Sequence, residues 1–341
     1  MAGTILVTGA SGFVATQVIS AFLSAGYHVR GTVRSESKAQ STAAIFPSFQ
    51  SRLSFVVVPD IVAPGAFDEA VKGVDGVVHT ASPFVVQVKD NKRDLLDPAI
   101  NGTLNILQAI QKHAPNVKRL VVTSSFAAIL DLSKGNRPGY TYSEKDWNPA
   151  TYEEAVKSDN GAFVYCASKT LAEKTAFDFV KSQNTNFSLA TVCPPMVYGP
   201  AIQPIQSLNS LNESTADIYR FMNGSTPKVQ PNAFWAWVDV RDVATAHVKA
   251  YEHPEGGRFF VTEGTFTYQQ VVETIRKVPG VDQSKISEDD PSLEWPETYN
   301  VDNSQARREL GIEFRSLEES IRDTALQMLQ WEKKLQSNGH Q

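Results

Sequence analysis

Cysteine is nearly missing from this chain: Cys166 and Cys193 are the only two in 341 residues. Two thiols build neither a disulfide framework nor a cysteine-based metal site, and they suit a reducing compartment. A basic excess is lacking as well. The formal net charge is -5, which leaves no electrostatic footprint for nucleic acid or an anionic membrane. No apolar run is long enough to span a bilayer. No charged region precedes an apolar stretch at the N-terminus, so no signal peptide is expected, and the expected location is the cytosol. Internal repeats and low-complexity tracts are absent, and no metal is expected. What is present is an ordinary soluble composition, 42% hydrophobic and 20% charged. The chain is long enough for one large domain, or for a domain with a smaller lobe.

Strand and helix patterns alternate through the first half. Apolar, β-branched runs at 4–8, 28–33, 53–58, 74–79, 118–123 and 186–192 read as strands. Helices are expected at 12–25, 36–46, 66–71, 90–113 and 161–183. This alternation predicts an α/β fold, a Rossmann-type doubly wound parallel sheet with ligands at the carboxyl ends of its strands. After Pro194 the pattern changes. Residues 200–232 are rich in Ser, Asn, Pro and Gln, with an amphipathic piece near 214–223. The stretch 257–264 (GRFFVTEG) reads as a late strand, and 267–277 and 317–335 as helices. The expected division is a dinucleotide-binding domain over 1–193 with returns near 233–264. A smaller, mainly C-terminal substrate lobe would use 194–232 and 265–341.

Directly after the first strand comes Gly9-Ala10-Ser11-Gly12-Phe13-Val14-Ala15. Gly9 permits a tight turn, Gly12 lets the backbone approach a pyrophosphate, and the small Ala15 lets the helix pack close to the strand. The helix start, from Ser11 through Phe13 and Val14, offers free N–H groups and a positive dipole end to phosphates. Where an NAD-specific site would place an acid at the end of the second strand, this chain has Arg34, with Lys38 one turn on. A planar guanidinium suits a 2′-phosphate, so the charge pattern predicts NADPH/NADP+. Glu36 could reach a ribose hydroxyl, though at a helix start it more simply complements the dipole. Asp60 and Ile61 follow the third strand and could border the adenine. Thr80, Ala81 and Ser82 follow the fourth, where small residues let the backbone pass the cofactor.

The fifth strand runs into Ser124-Ser125, and Tyr165 and Lys169 stand one turn apart on an expected helix, sharing a face. A free tyrosine titrates near ~10, too high for efficient proton transfer at neutral pH. A neighbouring lysine cation stabilises the phenolate and is expected to lower that value. Ser125 can hold a carbonyl oxygen while Tyr165 protonates the developing alkoxide, and Asn101 could anchor a water in a proton relay.

These residues resemble the extended short-chain dehydrogenase/reductase family. The resemblance rests on TGASGFVA, DGVVHTASP, INGTLNIL, VVTSS, YCASK and the run from Pro194 to Pro200. It covers nearly the whole chain. HTASPF, EKDWNPATYEEA, YCASKTLAEK and WVDVRDVATAH narrow it to the dihydroflavonol-reductase-like branch, close to fungal NADPH-dependent carbonyl reductases of the methylglyoxal/isovaleraldehyde type. The resemblance implies a Ser125–Tyr165–Lys169 triad, with Lys169 also on the ribose hydroxyls. It implies an NADPH site using Gly9, Gly12, Phe13, Arg34, Lys38 and Asp60. It also implies that the backbone from Pro194 through Met196 and Val197 meets the nicotinamide.

Phe84, Phe126, Tyr198, Phe234 and Trp235 lie near motif ends where a pocket wall would stand, although core packing is the commoner role of such residues. If they line it, the substrate is an apolar or aromatic carbonyl. The expected activity is NADPH-dependent reduction of aldehydes, ketones, diketones or ketoesters to alcohols. The alternatives are a dihydroflavonol 4-reductase-like or 3β-hydroxysteroid-like dehydrogenase, a sugar-nucleotide epimerase, and a non-enzymatic NADPH sensor. The only expected partner is the small-molecule carbonyl substrate; monomer and homodimer both stay open.

Overall fold

The structure is a computed structural model and describes residues 3–82, 88–203, 205 and 207–338. Its first half runs β1 (Thr4–Thr8), α1 (Phe13–Ser24), β2 (His28–Val33), α2 (Glu36–Ala43), β3 (Leu53–Val57), β4 (Gly76–His79), α3 (Asp97–His113) and β5 (Arg119–Thr123). Then come β6 (Thr141–Tyr142), α4 (Tyr152–Lys157), α5 (Gly161–Ser182), β7 (Ser188–Cys193), β8 (Met196–Tyr198) and α6 (Glu213–Tyr219). The remainder is β9 (Ala236–Asp239), α7 (Val240–Glu252), β10 (Gly257–Phe260), β11 (Gly264–Thr265), α8 (Tyr268–Arg276), β12 (Asn300–Val301), α9 (Ser304–Leu310) and α10 (Leu317–Asn338).

Seven strands form one parallel sheet in the order β3-β2-β1-β4-β5-β7-β10. The late strand expected at 257–264 is its last member. Alternate residues of each strand point to opposite faces. Ile5, Val7, Val78 and Val121 pack with Val18 and Phe22 of α1 and Val243 and Ala246 of α7. Leu6, Val77, Leu120 and Val122 pack with Ile106 and Ile110 of α3 and Ala176 of α5. Both faces are covered, which is why these strands read as unbroken apolar runs. The strand order reverses between β1 and β4, and the crevice beyond their carboxyl ends is where ligands enter such a sheet.

Two short sheets and a second core are built mainly from the chain beyond Pro194, with β6 joining from before it. β8 and β9 pair in parallel and β11 joins β9 antiparallel, while β12 pairs with β6. Ile218 of α6, Val271 and Ile275 of α8, and Ile321 and Met328 of α10 share one apolar cluster with Trp237 and Tyr198. Ala306 and Leu310 of α9 return to the main core. Among the described residues, no helix is long and apolar enough to cross a membrane.

Two local expectations need correction. Residues 66–71, read as a helix, are a run of turns between Gly65 and Gly73, both at positive φ. A segment this short needs a cap or tertiary support to offset helix nucleation, as the capping box gives the equally short α4; here the chain stays in turns, yet Phe67 and Val71 are still buried. Conversely, α7 was not anticipated. Its signal was present: Asp239 caps the helix by accepting from the Arg241 N–H, ahead of apolar residues at 240, 243, 244 and 248.

Candidate active site

The turn after β1 is built to approach a ligand with backbone. Gly9 has φ +66, and a Cβ there would lie 3.1 Å from the Ala81 Cα. Gly12 caps α1 without a side-chain hydrogen bond, so the first N–H groups of the helix carry no internal partner. A Cβ on Gly12 would sit 3.3 Å from the Gly9 carbonyl. Side-chain-free backbone at a helix N-terminus fits the pyrophosphate of a dinucleotide.

Hydrogen-bond accounting fixes the loop opposite. Thr8 Oγ1 accepts from the N–H groups of Thr80 (3.1 Å) and Ala81 (3.0 Å). Its own proton must therefore go to His79 Nδ1, 2.9 Å away, leaving a neutral ring protonated at Nε2. Burial agrees, pushing His79 down to about 3. A second histidine does the same for β5: His247 Nδ1 donates to the Val243 carbonyl, so Nε2 accepts from Thr123 Oγ1 at 2.7 Å. Burial holds His247 down to about 4. Each neutral imidazole thus fixes the threonine that ends a site-bearing strand.

Ser125 follows β5 and caps a short 3-10 turn, its Oγ accepting from the Ala127 N–H at 3.1 Å. The side chains of Ser125 and Tyr165 are hydrogen-bonded. Lys169 lies one turn further along α5, its Nζ 5.7 Å from the Tyr165 ring centroid and 2.8 Å from Ser82 Oγ. Burial dominates both ionisations. It raises the Tyr165 phenol well above its ordinary value, against the Ser125 hydrogen bond, and lowers the Lys169 ammonium to about 8. The expected lowering of the phenol by the neighbouring cation does not lead here; desolvation does.

These groups meet in one cavity of about 440 Å³. One end is lined by Gly9, Gly12, Phe13, Val14, Thr80 and Ser82. The middle holds Ser125, Tyr165 and Lys169 with Pro194, Met196 and Val197. Phe126, Leu130, Ala162, Phe234 and the 212–214 segment line the other end.

Several anticipated residues stand elsewhere. Arg34 and Lys38 are exposed, at the carboxyl end of β2 and in the first turn of α2, beside the glycine turn in sheet order but outside the cavity lining. Ser11 is half-buried in the turn, and Ala81 backs Gly9. Asp60 is exposed, its carboxylate accepting from the Val62 N–H at 2.9 Å. Ile61 does not face the cavity: it packs under α3 against Gly102 and the core. Asn101 is exposed in a separate hollow with Asp90, Arg93 and Asp97, which removes it from a relay to Tyr165.

The pocket wall is corrected likewise. Phe126 and Phe234 line the cavity, whereas Tyr198 and Trp235 do not. Tyr198 is buried in the second core with its hydroxyl donating to Asp217 at 2.7 Å. Trp235 is packed edge-on to Trp295, and its indole N–H donates to Asn136 at 3.2 Å. Both bury a large ring and satisfy its polar tip inside the protein. Phe84 lies outside the described residues. The sequence reading missed Leu130, Ala162, Asn212, Glu213 and Ser214, which sit in segments with no chemical motif; Glu173, discussed below, lay unremarked inside YCASKTLAEK.

Comparison with known proteins fits this geometry. Residues 5–261 match the NAD dependent epimerase/dehydratase family. An oxidoreductase of Schizosaccharomyces pombe is 42% identical over 332 residues, 96% of this chain and 97% of that protein. The ketoreductase azaE of Aspergillus niger is 39% identical over 342 residues, 97% of this chain and 98% of that one. The crystal structure of yeast methylglyoxal/isovaleraldehyde reductase Gre2 complexed with NADPH superposes with a TM-score of 0.89 at 35% identity, covering 97% of this chain and 99% of the other. The chain belongs to the NAD dependent epimerase/dehydratase family, the extended short-chain dehydrogenase/reductases.

Proposed function

We propose that this protein is an NADPH-dependent carbonyl reductase that converts aldehydes, ketones, diketones or ketoesters to alcohols, with Tyr165 as the proton donor. The observation that carries the reading is the meeting of the glycine turn with Ser125, Tyr165 and Lys169 in one cavity. The NADPH-bound yeast neighbour and the A. niger ketoreductase support it.

Gly9, Gly12 and the start of α1 would hold the pyrophosphate, Arg34 and Lys38 the 2′-phosphate, and Lys169 the ribose hydroxyls. Bound there, NADPH supplies the hydride. Ser125 Oγ then orients the carbonyl oxygen between itself and the Tyr165 hydroxyl, and Tyr165 delivers its proton to that oxygen as negative charge grows on it. A buried phenol stays protonated until such a base forms beside it. The Lys169 ammonium, adjacent to the ring, stabilises the phenolate left behind. The apolar walls exclude water and strengthen these interactions.

The same cavity defines a substrate class. Phe126, Leu130 and Phe234 supply apolar surface, and Glu213 is the one acidic side chain among the described lining residues. Apolar neutral carbonyls are accepted, and substrates bearing a carboxylate are disfavoured by like charge. Two lobes divided near Pro194, and a cytosolic location, complete the reading.

The test is nicotinamide absorbance decay with NADPH or NADH across aldehydes, diketones, aromatic ketones and 2-oxo acids. NADPH-specific turnover of several neutral carbonyls is expected. A preference for NADH, or turnover confined to 2-oxo acids, overturns it.

A further inference from the structure

Glu173 lies one helical turn beyond Lys169 on α5 and is 1% exposed. Its carboxylate accepts from four donors. Arg258 contributes Nε at 3.0 Å and Nη2 at 3.1 Å. Ser124 Oγ donates at 2.8 Å and Cys193 Sγ at 3.4 Å. Arg258 is equally saturated. Its remaining N–H groups reach the carbonyls of Glu144, Asp146 and Ala128, so all five donors of the fork are engaged. The guanidinium also lies 3.6 Å from the Trp147 ring centroid.

These partners bracket Ser125 on both sides. The residue before it, Ser124, is tied to Glu173. The turn after it ends at Ala128, whose carbonyl is tied to Arg258. Tyr165, Lys169 and Glu173 are spaced i, i+4, i+8 and share one face of α5. The pair therefore joins the segment carrying Ser125 to the helix carrying Tyr165 and Lys169. A buried ion pair adds little net stability over a well-packed apolar pair, whereas an engaged Arg fork fixes direction.

We propose that Glu173, Arg258 and Ser124 are positioning residues that set the distance between Ser125 and Tyr165; this rests on the reductase reading above. Glu173 and Arg258 do not line the cavity; Ser124 does, but its hydroxyl is turned away to donate to Glu173. The expected consequence of loosening them is a loss of turnover without a loss of cofactor affinity, because a misplacement of about 1 Å costs on the order of 100-fold.

The test compares wild-type protein with Ser124→Ala and Arg258→Lys. The measurements are kcat, KM for the carbonyl, its pH profile, NADPH affinity from nicotinamide fluorescence, and crystal structures. Ser124→Ala removes one hydroxyl and should fold. It is expected to lower kcat about 10-fold or more, to displace the pH profile, and to leave NADPH affinity within about twofold. Arg258→Lys keeps the charge, loses the fork and should move in the same direction. Wild-type kcat and pH profile in Ser124→Ala, with only a lower melting temperature, would overturn the proposal; if Arg258→Lys does not fold, Ser124→Ala decides alone. If wild-type protein turns over no carbonyl, the reductase reading fails instead. The inference is then judged by the crystal structures: Ser125 displaced from Tyr165 in Ser124→Ala supports it, and an unmoved Ser125 overturns it.

Discussion

On the reading proposed above, Gly9, Gly12 and the start of α1 form the cofactor end of the cavity and present backbone, while Phe126, Leu130, Phe234 and Glu213 form the substrate end and present side chains. The first end combines the β1–turn–α1 unit with Thr80 and Ser82 of the loop after β4, a loop held by Thr8 and His79. The second is gathered from the turn after Ser125, from α5, from α6 and from the segment before β9. Backbone sites tolerate little change because each atom is fixed by the fold. Side-chain sites can vary residue by residue while the sheet stays intact. Constancy of chemistry and freedom of substrate thus reside in different materials.

The largest expected effect lies where the two ends meet. Tyr165→Phe should lower kcat by about 10²- to 10⁴-fold and leave NADPH affinity unchanged; an unchanged turnover rate sinks the mechanism. Next come two adjacent aromatics that the structure separates. Trp235→Ala should cost about 3–5 kcal/mol of stability, as a large core truncation does, whereas Phe234→Ala should chiefly change relative rates on aromatic and aliphatic ketones. Denaturant melts and substrate panels on both variants decide this; the opposite assignment would return Trp235 to the pocket wall.

Arg34→Ala should weaken NADPH by about 10- to 100-fold, the worth of a charge-assisted hydrogen bond, with little effect on NADH. Equal losses for both nucleotides would remove the 2′-phosphate from Arg34. The acid limb is governed by the two histidines behind the strand ends. Unfolded, each titrates at 6.5, but burial holds His79 down to about 3 and His247 to about 4. Between those limits the unfolded chain binds protons that the folded chain does not. Stability therefore falls as pH drops from 6.5 toward 4. Urea midpoints that stay level across that range contradict it. The smallest effect is expected at the exposed Glu213: Glu213→Gln should improve 2-oxo acid turnover a few-fold, and added salt should reproduce part of the gain.

Legibility in the sequence followed the range of the interactions. The glycine turn and the Tyr165–Lys169 pair are local patterns, so their residues could be read before any fold was known. Arg34 could be placed for the same reason, as the residue directly after β2. Tyr198 and Trp235 could not be separated from Phe126 and Phe234, because an aromatic residue in a core and one in a pocket wall have the same neighbours in sequence. The orientation of Ile61 and Asn101 could not be read from sequence: the first packs its side chain under α3, and the second is exposed. The helix α7 was legible in hindsight, but its charged first turn hid an otherwise apolar pattern.

By itself, then, the sequence determined the doubly wound sheet, the glycine turn and the Tyr165–Lys169 pair, since each depends on spacing along a strand or a helix. Only the tertiary structure decided which aromatics face the cavity, that the exposed Glu213 lines it, and that the partners of Glu173 and Arg258 bracket Ser125. Those facts join residues as far apart as 128 and 258, and only the packing of the folded chain sets the distance between such positions.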